Sequence, residues 1–147
     1  MNNDKTALPT IDMFPALTVH TLRYADHDQE GHVNNAVYST MYEAGRVSVL
    51  YDPAQAMPPA GCHFSLVRIT IDFLAEMTWP GDVTIGTAVT RIGNSSVSLR
   101  HAIFKDGTCR STAEGTVVCT NSTTRKSQPL PDHARAFLET IRLAEGA

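Results

Sequence analysis

The sequence predicts an α+β domain in which one main helix lies against a single antiparallel sheet of about five strands. Apolar residues recur at the three- and four-residue spacing of a helix in one stretch that begins near Ala36. From His63 to Thr124, segments with alternating apolar and polar residues follow one another and are joined mainly by short turns. Because no helical stretch separates those segments, alternating βαβ units and a parallel sheet are excluded.

The size and composition of the chain indicate one domain. The 147 residues are enough to bury a core of their own, and we expect a single domain over residues 1–147. Residues 1–15 are polar and interrupted by proline, which predicts a loosely held lead-in. The net charge of -3, with acidic and basic residues interspersed, argues against a nucleic acid partner.

The sequence shows no targeting or membrane segment. Residues 1–5 lack the charged-then-apolar order of a secretory signal, and no apolar run is long enough to cross a bilayer. We therefore expect a cytoplasmic protein that does not bind membranes. The three cysteines are widely spaced without a Cys-x-x-Cys pair, so we expect neither a disulfide framework nor a zinc site. Cys109 and Cys119 have the same parity within one predicted strand, which indicates two buried side chains.

The first half of the chain predicts a strand, a polar turn and the main helix. The strand spans roughly Thr18 to Ala25, and the helix runs to about Leu50. Residues 52–61, which are rich in proline and glycine, end the helix and let the chain return. The residues that we expect on the buried face of the helix are Tyr38, Met41, Tyr42, Gly45 and Val49.

The second half predicts four further strands and a short helix. Alternating apolar and polar residues place the strands at residues 67–73, 83–89, 97–103 and 108–120. Turn residues separate them, including Gly93-Asn94, a pair typical of hairpins. After Pro131, we expect a terminal helix with Asp132 as its N-cap and Gly146 at its end.

The polar turn before the main helix concentrates the residues that could carry chemistry. Its titratable residues are Asp26, His27, Asp28, Glu30 and His32. The first turn of a helix has free backbone N–H groups and the positive end of the helix dipole, so it suits a developing oxyanion. Asn34 or Asn35 is a good N-cap, and Gly31 allows a left-handed turn or the close approach of another molecule. An acid placed just before that helix can attack a carbonyl group, or activate water against it.

The same turn also has interpretations as a metal site, which are weaker. Asp26-x-Asp28-x-Glu30-Gly31 copies the start of a calcium-binding EF-hand loop, but the twelfth position is Val37 rather than glutamate and no helix precedes the turn. His27 and His32 lie five residues apart across a glycine turn and lack a familiar ligand frame. We therefore predict no metal.

The run Asp28-Gln-Glu-Gly-His-Val-Asn-Asn-Ala-Val-Tyr38 resembles a family signature. The signature is Asp-x-x-Gly-His-Val-Asn-Asn-x-x-Tyr of the hotdog-fold acyl-CoA thioesterases of the 4-hydroxybenzoyl-CoA thioesterase type, and every fixed position is present. The plant acyl-ACP thioesterases are similar more loosely. The resemblance implies the hotdog fold, in which an antiparallel sheet wraps around a long central helix. It also implies hydrolysis of an acyl-CoA without a cofactor or a metal, in a homodimer or homotetramer that builds the site between subunits.

The resemblance also implies roles for individual residues. Asp28 is the nucleophile or the general base, and Asn34 and Asn35 supply the helix start that receives the carbonyl oxygen. His32 is either a partly buried structural imidazole or a group that orients the water or the carboxylate. The catalytic set is therefore Asp28, His32, Asn34 and Asn35. The residues expected to contact substrate are Gly31, Tyr38, Met41, Tyr42 and Ser96, the last from a turn that lies near the partner's site in relatives.

Some neighbouring residues have other interpretations. We expect Asp26 to be structural, through a pair with Arg23 or bonds to turn N–H groups, and we keep Glu43 as a reserve catalytic acid. Basic residues that could bind the phosphates of coenzyme A are Arg91, Arg100, Arg110, Arg125 and Lys126.

Two other functions remain open at this point. A hotdog hydratase or dehydratase would use an Asp–His pair, but only three residues separate Asp28 from His32 where that class has four. A non-catalytic acyl-CoA binding protein would keep the pocket and lose the acid, whereas this chain keeps it.

Overall fold

A computed structural model of the chain describes residues 7–144. Its strands are β1 (Ala16–Thr21), β2 (Cys62–Phe73), β3 (Asp82–Ile92), β4 (Ser96–Lys105) and β5 (Thr108–Asn121), and its helices are α1 (Asn35–Leu50) and α2 (Asp132–Glu139). The strands form one sheet in the order β1-β3-β4-β5-β2, and every neighbouring pair is antiparallel. The predicted antiparallel sheet with a helix inserted after the first strand is confirmed. Its edges are β1 and β2.

Helix α1 packs against the inner face of the sheet as its apolar spacing predicted. The five residues expected on its buried face are all buried: Tyr38, Met41, Tyr42, Gly45 and Val49. The helix lies close against β3 at Gly45, where a Cβ atom would lie 2.8 Å from Thr87 Oγ1. The helix has 16 residues, about 24 Å, so it is of moderate length rather than the long central helix implied by the resemblance.

The first strand ends earlier than expected, at Thr21 rather than Ala25. The reason is local, because Tyr24–Asp26 form a single 3-10 turn in which the Asp26 carboxylate folds back onto Arg23. The backbone N–H of Arg23 donates to Asp26 Oδ2 at 2.8 Å, which gives this N–H a partner outside the sheet.

The terminal helix also differs from the prediction at both ends. Pro131 is the N-cap and Asp132 is the first helical residue. The helix ends at Glu139 because the following residues bond to β3 instead: Val89 N–H donates to Ile141 O at 2.8 Å and Leu143 N–H donates to Val89 O at 3.0 Å. The expected end, Gly146, lies outside the described residues.

The core fills the space between the two helices and the sheet, and Cys109 and Cys119 are buried as expected. The outer face of the sheet is covered at one end by the lead-in, where Phe14 is buried with its ring edge-on to Phe104. Phe14, near the end of the predicted lead-in, is therefore held against the sheet by an apolar partner, whereas most residues between 7 and 13 are exposed; residues 1–6 are outside the description. No helix within residues 7–144 is long and apolar enough to span a membrane.

Candidate active site

A cleft of about 580 Å³ opens between the polar turn and the segment that follows β2. Both polar and apolar groups line it. Four residues of the predicted site, Asp28, His32, Asn35 and Tyr38, line this cleft together. The complete lining is Asp28, Gln29, Glu30, His32, Val33, Asn35, Tyr38, Phe73, Leu74, Ala75 and Glu76.

The turn is built so that one carboxylate oxygen of Asp28 is held and the other is free. The backbone N–H of Asp28 donates to His32 O at 2.9 Å, and Gly31 N–H donates to Asp28 O at 3.1 Å. Gly31 takes the left-handed conformation that the turn requires, with φ of 77°. Asp28 Oδ1 accepts the Glu30 N–H at 2.9 Å, whereas Oδ2 accepts no hydrogen bond from residues 7–144. The Glu30 N–H thus orients the exposed side chain of Asp28, while Oδ2 remains free to contact a bound molecule.

The start of α1 presents one backbone N–H group without a partner. Asn34 is the N-cap, and its Oδ1 accepts the Ala36 N–H at 2.9 Å. Its own N–H donates to Asp26 O at 2.9 Å, so the side-chain oxygen and the N–H of Asn34 both serve to build the helix start. The N–H of Asn35, the first helical residue, has no acceptor in the described part of the chain, and Asn35 lines the cleft. A donor at the positive helix end therefore lies beside Asp28.

Asp26 is structural, as predicted. Its side chain is only 1 % exposed, and its carboxylate accepts bonds from the Arg23 N–H, Nε and Nη2. Burial raises the pKa of Asp26, but the hydrogen bonds and the charge of Arg23 outweigh burial and hold this pKa below its usual value. The charged form is thereby stabilised, and Asp26 braces the turn instead of reacting.

His32 meets a residue that sequence reasoning missed. Its Nε2 lies 3.0 Å from Oε2 of Glu76, which belongs to the segment after β2 and lines the same cleft. In the sequence, Glu76 looks like any exposed acid in a connection, and only the fold brings it to His32. Two further bonds join the same segments: Val33 N–H donates to Met77 O at 2.8 Å, and Trp79 N–H donates to His27 Nε2 at 2.6 Å.

The apolar side of the cleft is organised around Tyr38. Its ring is buried and meets Phe73 edge-on, with ring centroids 5.0 Å apart. Burial raises the pKa of Tyr38, the positive charge of Arg110 lowers it, and the negative charge of Glu76 adds to the rise, so the hydroxyl stays protonated at neutral pH. The cleft therefore has an apolar wall against which the apolar part of a bound molecule could pack.

The other predicted substrate contacts do not line the cleft of a single chain. Met41 and Tyr42 are fully buried in the core, and Tyr42 Oη donates to Ser111 Oγ at 2.7 Å. Both point at the sheet, because α1 turns this face inward. Ser96 starts β4 and pairs with Val118, at the end of the sheet opposite to the cleft.

The reserve acid and the basic residues are also dispersed. Glu43 lies beside a separate, smaller cavity between α1 and β2. Of the basic residues considered for coenzyme A, Arg110 is close to the cleft and donates from Nη1 to Glu76 O at 3.0 Å, while Arg100 pairs with Glu114 at 2.9 Å. Within residues 7–144, no three His, Cys, Asp or Glu side chains are grouped to hold a metal ion.

Comparisons with known proteins agree on one family. A family model described as the thioesterase-like superfamily matches residues 22–138. No curated protein matches the chain significantly. A predicted thioesterase from Bacillus stearothermophilus is 26 % identical, with a TM-score of 0.78, and the match covers 89 % of this chain and 98 % of that one.

Two further solved structures are similar. A thioesterase from Thermus thermophilus, crystallised with coenzyme A and Zn, is 27 % identical with a TM-score of 0.73, over 85 % of this chain and 98 % of that one. A protein from Pseudomonas aeruginosa strain PAO1 is 22 % identical with a TM-score of 0.83, over 92 % and 97 % of the two chains, and this likeness concerns the fold alone.

Proposed function

Because the chain belongs to the thioesterase-like superfamily, it is a thioester hydrolase, and we propose that it cleaves an acyl-CoA to the free acid and coenzyme A. The complex of the Thermus thermophilus thioesterase with coenzyme A supports this substrate class. The fold that we assign is the hotdog fold, with the sheet curved around α1. We further propose that no cofactor takes part and that the protein is cytoplasmic.

One observation carries the proposal, namely that the free Oδ2 of Asp28 and the free N–H of Asn35 belong to residues lining one cleft. A thioester carbonyl bound there has its oxygen at the Asn35 N–H, where negative charge is stabilised as it develops. Asp28 then attacks the carbonyl carbon or removes a proton from the attacking water. Asn34 contributes by fixing the helix start. Gly31 has open space where a side chain would stand, which leaves room for the substrate.

We place the acyl group along the apolar side of the cleft, against Tyr38 and Phe73. Met41 and Tyr42 support that wall from beneath rather than through contact in a single chain. We also propose that two copies pair as a homodimer, or as dimers in a homotetramer, and that Ser96 reaches the cleft of the other copy.

The test is the replacement Asp28→Asn, which keeps size and polarity but removes the charge. We expect thiol release from acyl-CoA to fall by about 100-fold or more, with the fold intact. The matched control is Asp52→Asn, because Asp52 Oδ1 accepts the Ala54 N–H at 3.0 Å in the same kind of turn outside the cleft. The control is expected to keep the wild-type rate.

The assay uses a panel of aliphatic and aromatic acyl-CoAs with a thiol reagent, beside an absorbance assay on an enoyl-CoA. Near-normal thiol release by Asp28→Asn would refute the assignment of Asp28. Turnover of the enoyl-CoA without thiol release would instead identify a hydratase, and tight binding without any turnover would identify a non-catalytic binding protein.

A further inference from the structure

The contact of His32 with Glu76 favours one assignment of roles to the two imidazole nitrogens. Glu76 Oε2 lies 3.0 Å from His32 Nε2, and because a carboxylate presents only lone pairs, this contact is favourable when Nε2 carries the proton. In the neutral ring, Nδ1 then carries a lone pair. No residue in the range 7–144 donates a hydrogen bond to Nδ1, and His32 lines the cleft. The ring thus has an unbonded Nδ1 that faces no donor and a carboxylate beside Nε2, an arrangement that proteins use to activate water or a hydroxyl group.

Glu76 is exposed, but its backbone is held in place. The N–H groups of Leu74 and Ala75 donate to Arg110 O at 2.9 and 3.1 Å, and Arg110 Nη1 donates to Glu76 O at 3.0 Å. The next residue is buried Met77, whose carbonyl accepts the Val33 N–H at 2.8 Å. Because the neighbours of Glu76 and His32 are joined by this backbone bond, the two side chains are brought side by side in a fixed register.

Asp28 and His32 are suited to different tasks in the cleft. Asp28 offers an unbonded oxygen, and His32 offers an unbonded nitrogen next to a carboxylate partner. With a separate base present, Asp28 does not have to activate water and can act on the thioester directly.

We propose that His32 Nδ1 is the base that activates the hydrolytic water, that Glu76 is its positioning residue, and that Asp28 is the nucleophile; this rests on the proposed thioesterase function. In the first step, Asp28 Oδ2 bonds to the acyl carbon, the C–S bond breaks with its electron pair on sulfur, and the thiolate of coenzyme A takes a proton from solvent. The enzyme is left as a mixed anhydride.

In the second step, the water oxygen bonds to the same acyl carbon and one water proton moves to His32 Nδ1. The bond from that carbon to Asp28 breaks, and its electron pair restores the carboxylate. The free acid and the His32 imidazolium then each lose a proton to solvent. Loss of the Glu76 charge weakens only this second step, because the first uses Asp28 and the Asn35 N–H.

The experiment measures thiol release in the first turnovers and at steady state for the wild type, Glu76→Gln and His32→Gln. Both variants are expected to release one equivalent of coenzyme A per site in a burst, followed by a steady rate slower than the wild type by about tenfold or more. Hydroxylamine attacks an anhydride without needing a base, so it should restore turnover in both variants with an acyl hydroxamate as the product. Thiol release by Asp28→Asn under the same conditions gives the non-enzymatic background.

The matched control is Glu114→Gln. Glu114 is as exposed as Glu76, at 72 % against 73 %, and it also pairs with a basic side chain, but it lies outside the cleft. It should behave as the wild type. An unchanged steady rate for Glu76→Gln, or a loss of the burst in proportion to the steady rate, would overturn the role of Glu76 while leaving the thioesterase function standing. Absence of thiol release by the wild type would contradict both the thioesterase function and the roles proposed for His32 and Glu76.

Discussion

Among the individual residues, two aspartates in one turn have opposite environments. Asp26 is buried and fully bonded to Arg23, whereas Asp28, two residues later, keeps one oxygen free in the cleft. A carboxylate whose oxygens are all engaged by a cation and N–H groups is a poor nucleophile, because reaction would break those bonds. This contrast is why we propose Asp28 as the reacting acid, while Asp26 holds the turn in shape.

His101 is a second residue whose environment fixes its protonation. It is fully buried on β4, with Nδ1 at 3.0 Å from Thr87 Oγ1. Burial, together with the positive charge of Arg46, lowers the pKa of His101 from 6.5 to about 3, and the hydrogen bond with Gly86 opposes this only in part. The imidazole is therefore neutral in the folded protein at neutral pH.

This lowered pKa makes the free energy of unfolding depend on pH. Between pH 6.5 and 3, the unfolded chain binds a proton at His101 that the folded chain does not. The contribution of neutral His101 to the free energy of unfolding is therefore fully present above pH 6.5 and is lost as the pH falls below that value. The wild type loses free energy of unfolding between pH 7 and pH 4.5, and replacing His101 with Gln should make that loss smaller by about 2 or 3 kcal/mol. Urea unfolding at a series of pH values measures this. Parallel curves for the two proteins would contradict the assignment, whatever their vertical offset.

Among the secondary-structure elements, the start of α1 serves both stability and the proposed chemistry. Asn34 caps the helix and bonds to Asp26, while Asn35, one residue later, is left with a free N–H group. A helix terminus is stabilised when a side chain caps it, and it can still bind an anion when the next backbone N–H is left free. Because the two tasks fall on adjacent residues, substitutions at the cap can separate them.

We expect Asn34→Ala and Asn34→Asp to differ in this way. Alanine removes the acceptor of the Ala36 N–H and should cost about 1 kcal/mol of stability. Aspartate keeps that acceptor and adds a negative charge at the positive helix end, so stability should be retained. The same charge opposes an oxyanion at Asn35, and kcat/KM should fall by about tenfold or more. Urea unfolding and acyl-CoA turnover give the two readouts. An Asn34→Asp protein with full activity would argue against an oxyanion at this helix end.

For the molecule as a whole, the sequence predicted what depends on local pattern. Residue alternation predicts the sheet, and helical spacing predicts α1. One long motif predicts that four residues share a cleft: Asp28, His32, Asn35 and Tyr38. It could not predict the Glu76–His32 pair or the early end of α2, because both depend on contacts between segments that are distant in the chain. An exposed glutamate has no distinctive pattern, and Ile141 leaves the helix only because β3 offers it a backbone partner.

The two edges of the sheet differ in a way that bears on assembly. Strand β2 has 12 residues against 6 in β1, and each has a neighbour on one side only within the described chain. Both edges expose two large apolar side chains, Leu66 and Val67 on β2 and Leu17 and Val19 on β1, so the difference between the edges is one of length. Antiparallel pairing of β2 with a second copy, about a twofold axis, would put the Cys62 end of one strand beside the Phe73 end of the other. Ser96 pairs with Val118, which pairs with Ser65 near the Cys62 end, so the second copy's Ser96 would approach the cleft.

We therefore expect β2, and not β1, to form the dimer contact. Val67→Lys places a charge on β2 at a side chain that is 60 % exposed, and the control Val19→Lys does the same on β1 at 64 %. A lysine on a strand edge opposes pairing with another chain. Light scattering should give a dimer for the wild type and Val19→Lys and a monomer with reduced turnover for Val67→Lys. The reverse pattern would move the contact to β1, and a fully active monomeric wild type would mean that one chain completes the site alone.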